Sequence, residues 1–181
     1  MNAPKKYTLV KSDTVTTWDG RKLFRIKAAV AIGLSVAKGD LGGYIESAAN
    51  LDHSGDAWVY GDALVYGNAR VYGNAWVYGD ALVYGDARVY GDARVYGNAR
   101  VYGVNLTATR SDNYTFLVAP TPDGPRIIAG CRYFTFEQAE KHWTKTRGGT
   151  PLGEESLSIV AHLKRMAEIN GFLEPVKEGE Q

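Results

Sequence analysis

The sequence predicts an all-β solenoid, a parallel β-helix closed by small caps, and three observations predict it. From Ala57 the chain reads AWVYGD, ALVYGN, ARVYGN, AWVYGD, ALVYGD, ARVYGD, ARVYGN, ARVYG, a six-residue repeat without interruption. Eight of the 12 Tyr lie in it, with a Gly at every sixth position from Gly61 to Gly103, so the repeat accounts for most of the unusual Tyr and Gly content. Each hexad also divides into four residues of strand and two of turn. Ala and Val fall on one side of the strand, the variable residue and Tyr on the other. Gly followed by Asp or Asn is turn chemistry, because these residues reach φ > 0 most readily. Finally, four-residue strands with uniform corners do not build a flat sheet. Three hexads close one triangular coil, its narrow interior filled by Ala and Val.

The elements follow in order. Residues 1–44 form an N-terminal cap: YTLV, a turn near Trp18, Asp19 and Gly20, and KLFRIKAAV read as a β-hairpin over residues 7–30. Gly39 to Tyr44 (GDLGGY) is a loop leading into an imperfect hexad, IESAAN. From Leu51 to Val59 the spacing is eight residues instead of six, which places a two-residue insertion around Asp52 and His53. The β-helix spans residues 45–106, and its pattern breaks at Val104, Asn105 and Leu106. Residues 107–181 form a C-terminal α+β cap. Within it, YTFLVAP and RIIAGCRYF make a second hairpin about Thr121, Pro122, Asp123 and Gly124. Thr135 with Gln138 is a capping box opening a helix through His142 and Trp143. RGGTPLG breaks that helix, and Glu154 to Asn170 is a second one, with Leu157, Val160, Leu163 and Ala167 on one stripe and Gly171 as its stop. A solenoid has raw ends and needs such caps.

The outward positions carry a second period. Folded at three hexads per coil, one face shows Trp58, Trp76 and Arg94, a second Leu64, Leu82 and Arg100, and a third Arg70 and Arg88, with Tyr on all three. Stacked strands lie about 4.8 Å apart, so Trp58/Trp76 and Leu64/Leu82 form exterior ladders. Such apolar faces predict a homotrimer in which the Trp face of one protomer packs on the Leu face of the next, a heterologous contact closing as a ring. The competing expectation is that Trp and Leu lie beneath the end caps.

An aliphatic residue followed four positions later by a small one recurs from Val59 and Ala63 to Val95 and Ala99, and again in Ile45 and Ala49. In this pattern residues 45–105 resemble the hexapeptide-repeat, left-handed β-helix family. The resemblance implies the left hand, which periodicity alone does not, and it agrees with a trimer. The fold hosts acyltransferases, carbonic anhydrases and inert scaffolds, so it implies no single function. The wider layout, with GDLGGYIES at Gly39 to Ser47, the YGNA/YGDA hexads and GCRYFT at Gly130 to Thr135, is similar to small phage and prophage repeat proteins often labelled acyltransferases from the repeat alone. That likeness implies a phage accessory or counter-defence role in the host cytosol and carries over no catalytic residue.

Composition narrows the chemistry. With 21 Lys+Arg against 20 Asp+Glu the net charge is +1, which argues against coating an extended nucleic acid. Cys131 is alone, so an intrachain disulfide and a multi-cysteine zinc site are excluded. No run of about 18 apolar residues is present, and the first residues lead into a strand pattern instead of a signal-peptide core, so the expected compartment is cytoplasmic, with no membrane partner. Acyl transfer, with coenzyme A or an acyl carrier as donor, needs a His projecting from the coil wall as general base, and His53 alone of the three His lies near it. His142 and His162 fall on helices as ordinary amphipathic or surface residues, and Cys131 reads as a core residue before it reads as a nucleophile paired with His142. No metal or other cofactor is expected. Corner Asp residues (Asp56, Asp62, Asp80, Asp86, Asp92) exchange with Asn68, Asn74 and Asn98, so turn geometry explains them better than calcium.

One constellation favours binding. In the trimer Arg94 and Arg100 end the two faces that meet at the seam, beside Tyr96 and Tyr102. Guanidinium forks bind phosphate or carboxylate, and Tyr faces stack a base. Arg70 and Arg88, facing outward, are expected to be solvated with cation–π contact to Tyr72 and Tyr90. The sequence therefore predicts a non-catalytic trimeric protein sequestering an anionic, nucleotide-like molecule at the seams or docking a host protein. An O- or N-acyltransferase and a structural spacer are its alternatives. Light scattering on the purified protein is expected to give three times the 19.8 kDa chain mass, and Arg94→Ala with Arg100→Ala to leave that mass unchanged while removing ligand-induced thermal stabilisation.

Overall fold

A computed structural model describes residues 5–102, 106–121 and 124–172. The pattern break at Val104 and Asn105 and the Pro122–Asp123 turn lie outside the described residues. The chain folds as two compact units, Met1–Gly91 with Val95–Gly103 and Asp92–Arg94 with Val104–Gln181.

The hexads form a parallel β-solenoid of about three turns, which belongs to the first unit except at residues 92–94. Its strands are β4 (Trp58–Val59), β5 (Leu64–Val65), β6 (Arg70–Val71), β7 (Trp76–Val77), β8 (Leu82–Tyr84), β9 (Arg88–Val89), β10 (Arg94–Val95) and β11 (Arg100–Tyr102). Each pairs in parallel with the equivalent strand of the next coil, three hexads away: Trp58 with Trp76, Leu64 with Leu82, Arg70 with Arg88, Arg100 with Leu82. Every Val from Val59 to Val101 is fully buried, and every Ala from Ala57 to Ala99 nearly so, which makes them the wall of the predicted interior. The corners turn through Gly at φ between 59° (Gly61) and 74° (Gly79), the left-handed region that Gly reaches without strain. Outside, the Tyr side chains stack in columns, Tyr66 on Tyr84 at 5.3 Å, Tyr84 on Tyr102 at 5.5 Å and Tyr78 on Tyr96 at 5.3 Å. Asn68 Nδ2 donates to Asp86 Oδ1 at 3.0 Å one coil away. At this corner the Asp/Asn choice therefore does more than form a turn: it puts a donor against a carboxylate where two Asp would repel.

The N-terminal hairpin joins the solenoid wall. Strands β1 (Tyr7–Thr16) and β2 (Lys22–Ala28) are antiparallel, and β3 (Leu41–Ile45) pairs antiparallel with β2 but parallel with β5. One sheet thus runs β1-β2-β3-β5-β8-β11. Ile45 lies beside Val65 and Leu51 beside Val71, so residues 45–59 form an irregular first coil. The GDLGGY segment, expected as a loop, is this strand β3 at its C-terminal end. Its glycines are set by contact: a Cβ on Gly43 would stand 2.6 Å from Ala63 O and from Val59 Cγ1, and one on Gly42 2.5 Å from Val59 O. Arg25 fastens the junction. Its Nε meets Asp13 Oδ2 at 2.7 Å, Nη1 the carbonyls of Gly42 and Gly61, and Nη2 the Tyr44 hydroxyl at 2.6 Å.

The second unit packs two helices on a four-stranded antiparallel meander, β12 (Leu106–Thr109), β13 (Thr115–Ala119), β14 (Arg126–Ala129) and β15 (Arg132–Phe134). Two readings change here. Leu106 begins a strand, and RIIAGCRYF is two strands folded at Gly130 (φ 58°) instead of one. Helix α1 (Phe136–Arg147) carries the expected Thr135–Gln138 capping box. Helix α2 (Pro151–Ile169) starts inside the predicted break, because Thr150 caps it and Pro151 occupies a first-turn position where a missing N–H costs nothing. Phe116, Ile127, Phe136, Trp143, Val160 and Leu163 form the core of this unit.

Replacing Gly43 by Ala forces a side chain into the backbone of the next coil and is expected to cost about 1–3 kcal/mol or more. Gly61→Ala, which adds a strained φ but meets the Gly79 backbone only at ordinary contact distance, is expected to cost about 1 kcal/mol. Urea denaturation of the two variants checks the order.

Candidate functional site

The insertion at Asp52 and His53 reshapes one face of the solenoid. By register, Asp52 occupies the position of a Tyr one coil from Tyr72, and its N–H bonds Val71 O at 2.9 Å. Asn50, in the place of an outward Arg, turns inward and gives Nδ2 to Gly67 O at 3.0 Å and Ala69 O at 2.9 Å. The short turn Ala48–Asn50, capped by Ser47, leaves only the small side chains of Ala48 and Ala49 exposed beside this face. A concavity of about 350 Å³ results, lined by Ala48, Ala49, Asp52, Arg70, Tyr72 and Arg88 among others. Arg70 and Arg88 are in register on neighbouring coils, and Tyr72 stacks on Tyr90 at 5.1 Å. Asp52 is occupied by its own loop, accepting from Ser54 N at 3.1 Å and Ser54 Oγ at 2.9 Å, and these bonds hold its pKa below the ordinary value despite some desolvation. The face thus offers two guanidinium groups, a Tyr column and one carboxylate already bonded within its own loop. Read from the sequence, Arg70 and Arg88 are solvated; the signal that points further is their three-hexad spacing combined with the insertion one coil earlier.

His53 points outward as expected but is not set up as a base. Its ring stacks on Tyr7 at 4.4 Å, and Nδ1 accepts the Lys6 backbone N–H at 3.2 Å. The lone pair a general base would use is taken, and in the neutral ring the other nitrogen carries the hydrogen. Lys6 itself runs inward, its Nζ donating to Ala57 O at 2.8 Å and Gly55 O at 3.3 Å, and burial lowers its pKa to about 8 against the opposing pull of Asp52 and Asp56. The His53 loop is a structural clasp on the N-terminal strand.

The residues expected at a trimer seam stand in the predicted ladders, Trp58 beside Trp76 and Leu64 beside Leu82, but differ in exposure. Trp58 is fully buried within its own chain, edge-on to Tyr7 at 6.3 Å, so it cannot contact a neighbour. This corrects its placement on an open face: the N-terminal strand covers it. Leu64 is half-buried, packed with Val15 against Leu23, Tyr44 and Tyr66. Trp76 and Leu82 stay partly exposed, and the outward Arg94 and Arg100 are exposed. Tyr96 and Tyr102 belong to the stacked columns, and burial raises the Tyr102 pKa. Cys131 is an exposed thiol in the turn between β14 and β15, which corrects the expectation of a core residue. Among the described residues no group of three or more His, Cys, Asp or Glu is placed to hold a metal ion, and no helix is long and apolar enough to cross a membrane.

Family comparison agrees with this geometry where the repeat is regular. A model of the YdcK β-solenoid repeat matches residues 57–73, 65–79, 75–91 and 93–103. The regular coils are a repeat β-solenoid. The match does not extend to residues 1–56 or 104–181. A comparison with curated proteins finds no match.

Burial, then the charges of Lys6 and Lys5, depress the His53 pKa from 6.5, with Asp52 opposing. The folded chain therefore binds this proton less readily than the unfolded chain. Stability from the clasp is complete above pH 6.5 and is lost as pH falls below it. Thermal melts are expected to show a falling Tm on acidification below that value, with a shallower fall in His53→Phe, which keeps the stack on Tyr7 and removes the titrating nitrogen.

Proposed function

We propose that the protein acts by binding, holding a small anionic, nucleotide-like molecule on the Arg–Tyr face of its solenoid. The observation that carries this reading is the register of Arg70 with Arg88 at the edge of a concavity that also exposes Tyr72. Guanidinium groups one coil apart match successive oxygens of a phosphate or diphosphate, and a Tyr ring offers a stacking surface to a base. The engaged lone pair of His53 favours this binding reading over acyl transfer from coenzyme A with His53 as base. Sequestration of an anionic signal, as a phage-encoded counter-defence protein would perform it, is the biological role consistent with this chemistry. A homotrimer remains part of the proposal: Trp76 and Leu82 are the apolar positions still available to a neighbour, and Arg94, Arg100, Tyr96 and Tyr102 would then border a second anionic surface at the seam.

Calorimetry with adenosine diphosphate, pyrophosphate and adenosine tests the reading. The diphosphates are expected to bind and adenosine not, and Arg70→Gln or Arg88→Gln to weaken binding about tenfold, the loss of one charge-assisted contact. Retained affinity in both variants with loss in Arg94→Ala and Arg100→Ala would move the site to the seam. Absence of any diphosphate binding would sink the proposal.

A further inference from the structure

The C-terminal unit holds a larger cavity, about 730 Å³, and its lining is strongly basic. Arg110, Arg132 and Arg147 face it with a single carboxylate, Asp112. That carboxylate is already committed. Arg110, almost fully buried, grips it through Nε at 2.9 Å and Nη2 at 2.7 Å, and gives Nη1 to Ser156 Oγ at 2.9 Å. Asp112 therefore neutralises Arg110 and nothing more. Among the described residues no carboxylate lies in salt-bridge range of Arg132 or Arg147, so the cavity carries two uncompensated positive charges.

Arg132 is also held in place. Its Nε donates to His142 Nε2 at 2.8 Å, and His142 packs against Phe134 and Trp143. An imidazole accepting from a guanidinium is neutral, so it orients Arg132 without cancelling its charge. The start of α2 lines the same cavity through Thr150, Pro151 and Leu152 and the last turn of α1 through Thr146 and Arg147, so the opposite helix ends offset each other and the arginines set the field. Beside these groups lie the apolar surfaces of Pro151 and Leu152, while the Trp143 indole is buried behind them in the core.

We propose that this cavity is a binding site for a phosphate monoester carrying an apolar group, with Arg132 and Arg147 as its anion ligands and the Pro151–Leu152 side receiving the organic part. Two planar forks suit a dianion with three equivalent oxygens better than a single-charged carboxylate. The site is separate from the Arg70–Arg88 face and does not depend on it.

Titration of the full chain with phenyl phosphate, read by calorimetry and by the His142 ring resonances, tests the assignment. Saturable binding is expected, with the His142 signals moving and affinity falling at least about tenfold in Arg132→Gln and in Arg147→Gln. Arg147 is exposed, so its variant keeps the fold even if loss of the Arg132–His142 bond disturbs the first variant; unchanged melting confirms this. Inorganic phosphate is expected to bind more weakly through the same residues. Phenylacetate binding as tightly as phenyl phosphate would overturn the phosphate assignment. The site itself is overturned by absence of saturable binding, by full affinity in Arg147→Gln, or by loss of binding in Arg70→Gln.

Discussion

The narrow interior of the coil is the constraint on which the solenoid unit depends. A triangular turn of three hexads leaves room along each wall for one Ala and one Val per strand, and every such residue is buried. Because that interior is filled by identical small side chains, successive coils stack in strict register. Register in turn forces like residues into columns on the outside, so Tyr meets Tyr and Arg meets Arg at the spacing of neighbouring strands. The stacked Tyr rings and the paired Arg70 and Arg88 are consequences of how the inside packs. A chain that needed a varied interior would not present such a uniform exterior.

Uniform stacking has no natural end, and the first coil shows how it is stopped. Gly42 and Gly43 let β3 approach the next coil at backbone distance, where any side chain would collide. Arg25 then bonds the hairpin, β3 and the Gly61 corner at once, so the terminus is held by side-chain bonds to backbone carbonyls. Lys6 and Tyr7 do the same for the inserted loop, the Tyr7 hydroxyl reaching Leu51 O at 2.7 Å. The same irregularity that ends the repeat produces the concavity over Arg70 and Tyr72. Closure of the solenoid and creation of a candidate site are one structural event.

Much of this is legible in the chain. The hexads dictate strand length, corner chemistry and the pairing of each strand with its equivalent one coil on, because a perfect repeat gives each position the same environment. The capping box at Thr135 is equally readable, since it depends on residues three apart. Sequence and structure part where the deciding contact is distant in the chain. Trp58 reads as an open-face residue because nothing near it announces that Tyr7, from the far N-terminal strand, lies across it. His53 reads as a possible base because a ring nitrogen looks available until the Lys6 N–H is found against it. The start of α2 reads late because the glycines before it outweigh the signal of Thr150 and Pro151.

By itself the sequence determined the solenoid, its coil length and which residues face inward or outward, because these follow from local alternation and exact repetition. Tertiary structure alone decided which outward residues are exposed, which titratable groups keep a usable lone pair, and where cavities form. Those properties depend on what the irregular segments cover. The Tyr7 strand, the Asp52–His53 loop and the Arg132–His142 pair are contacts between segments that share no pattern, so no period in the chain encodes them.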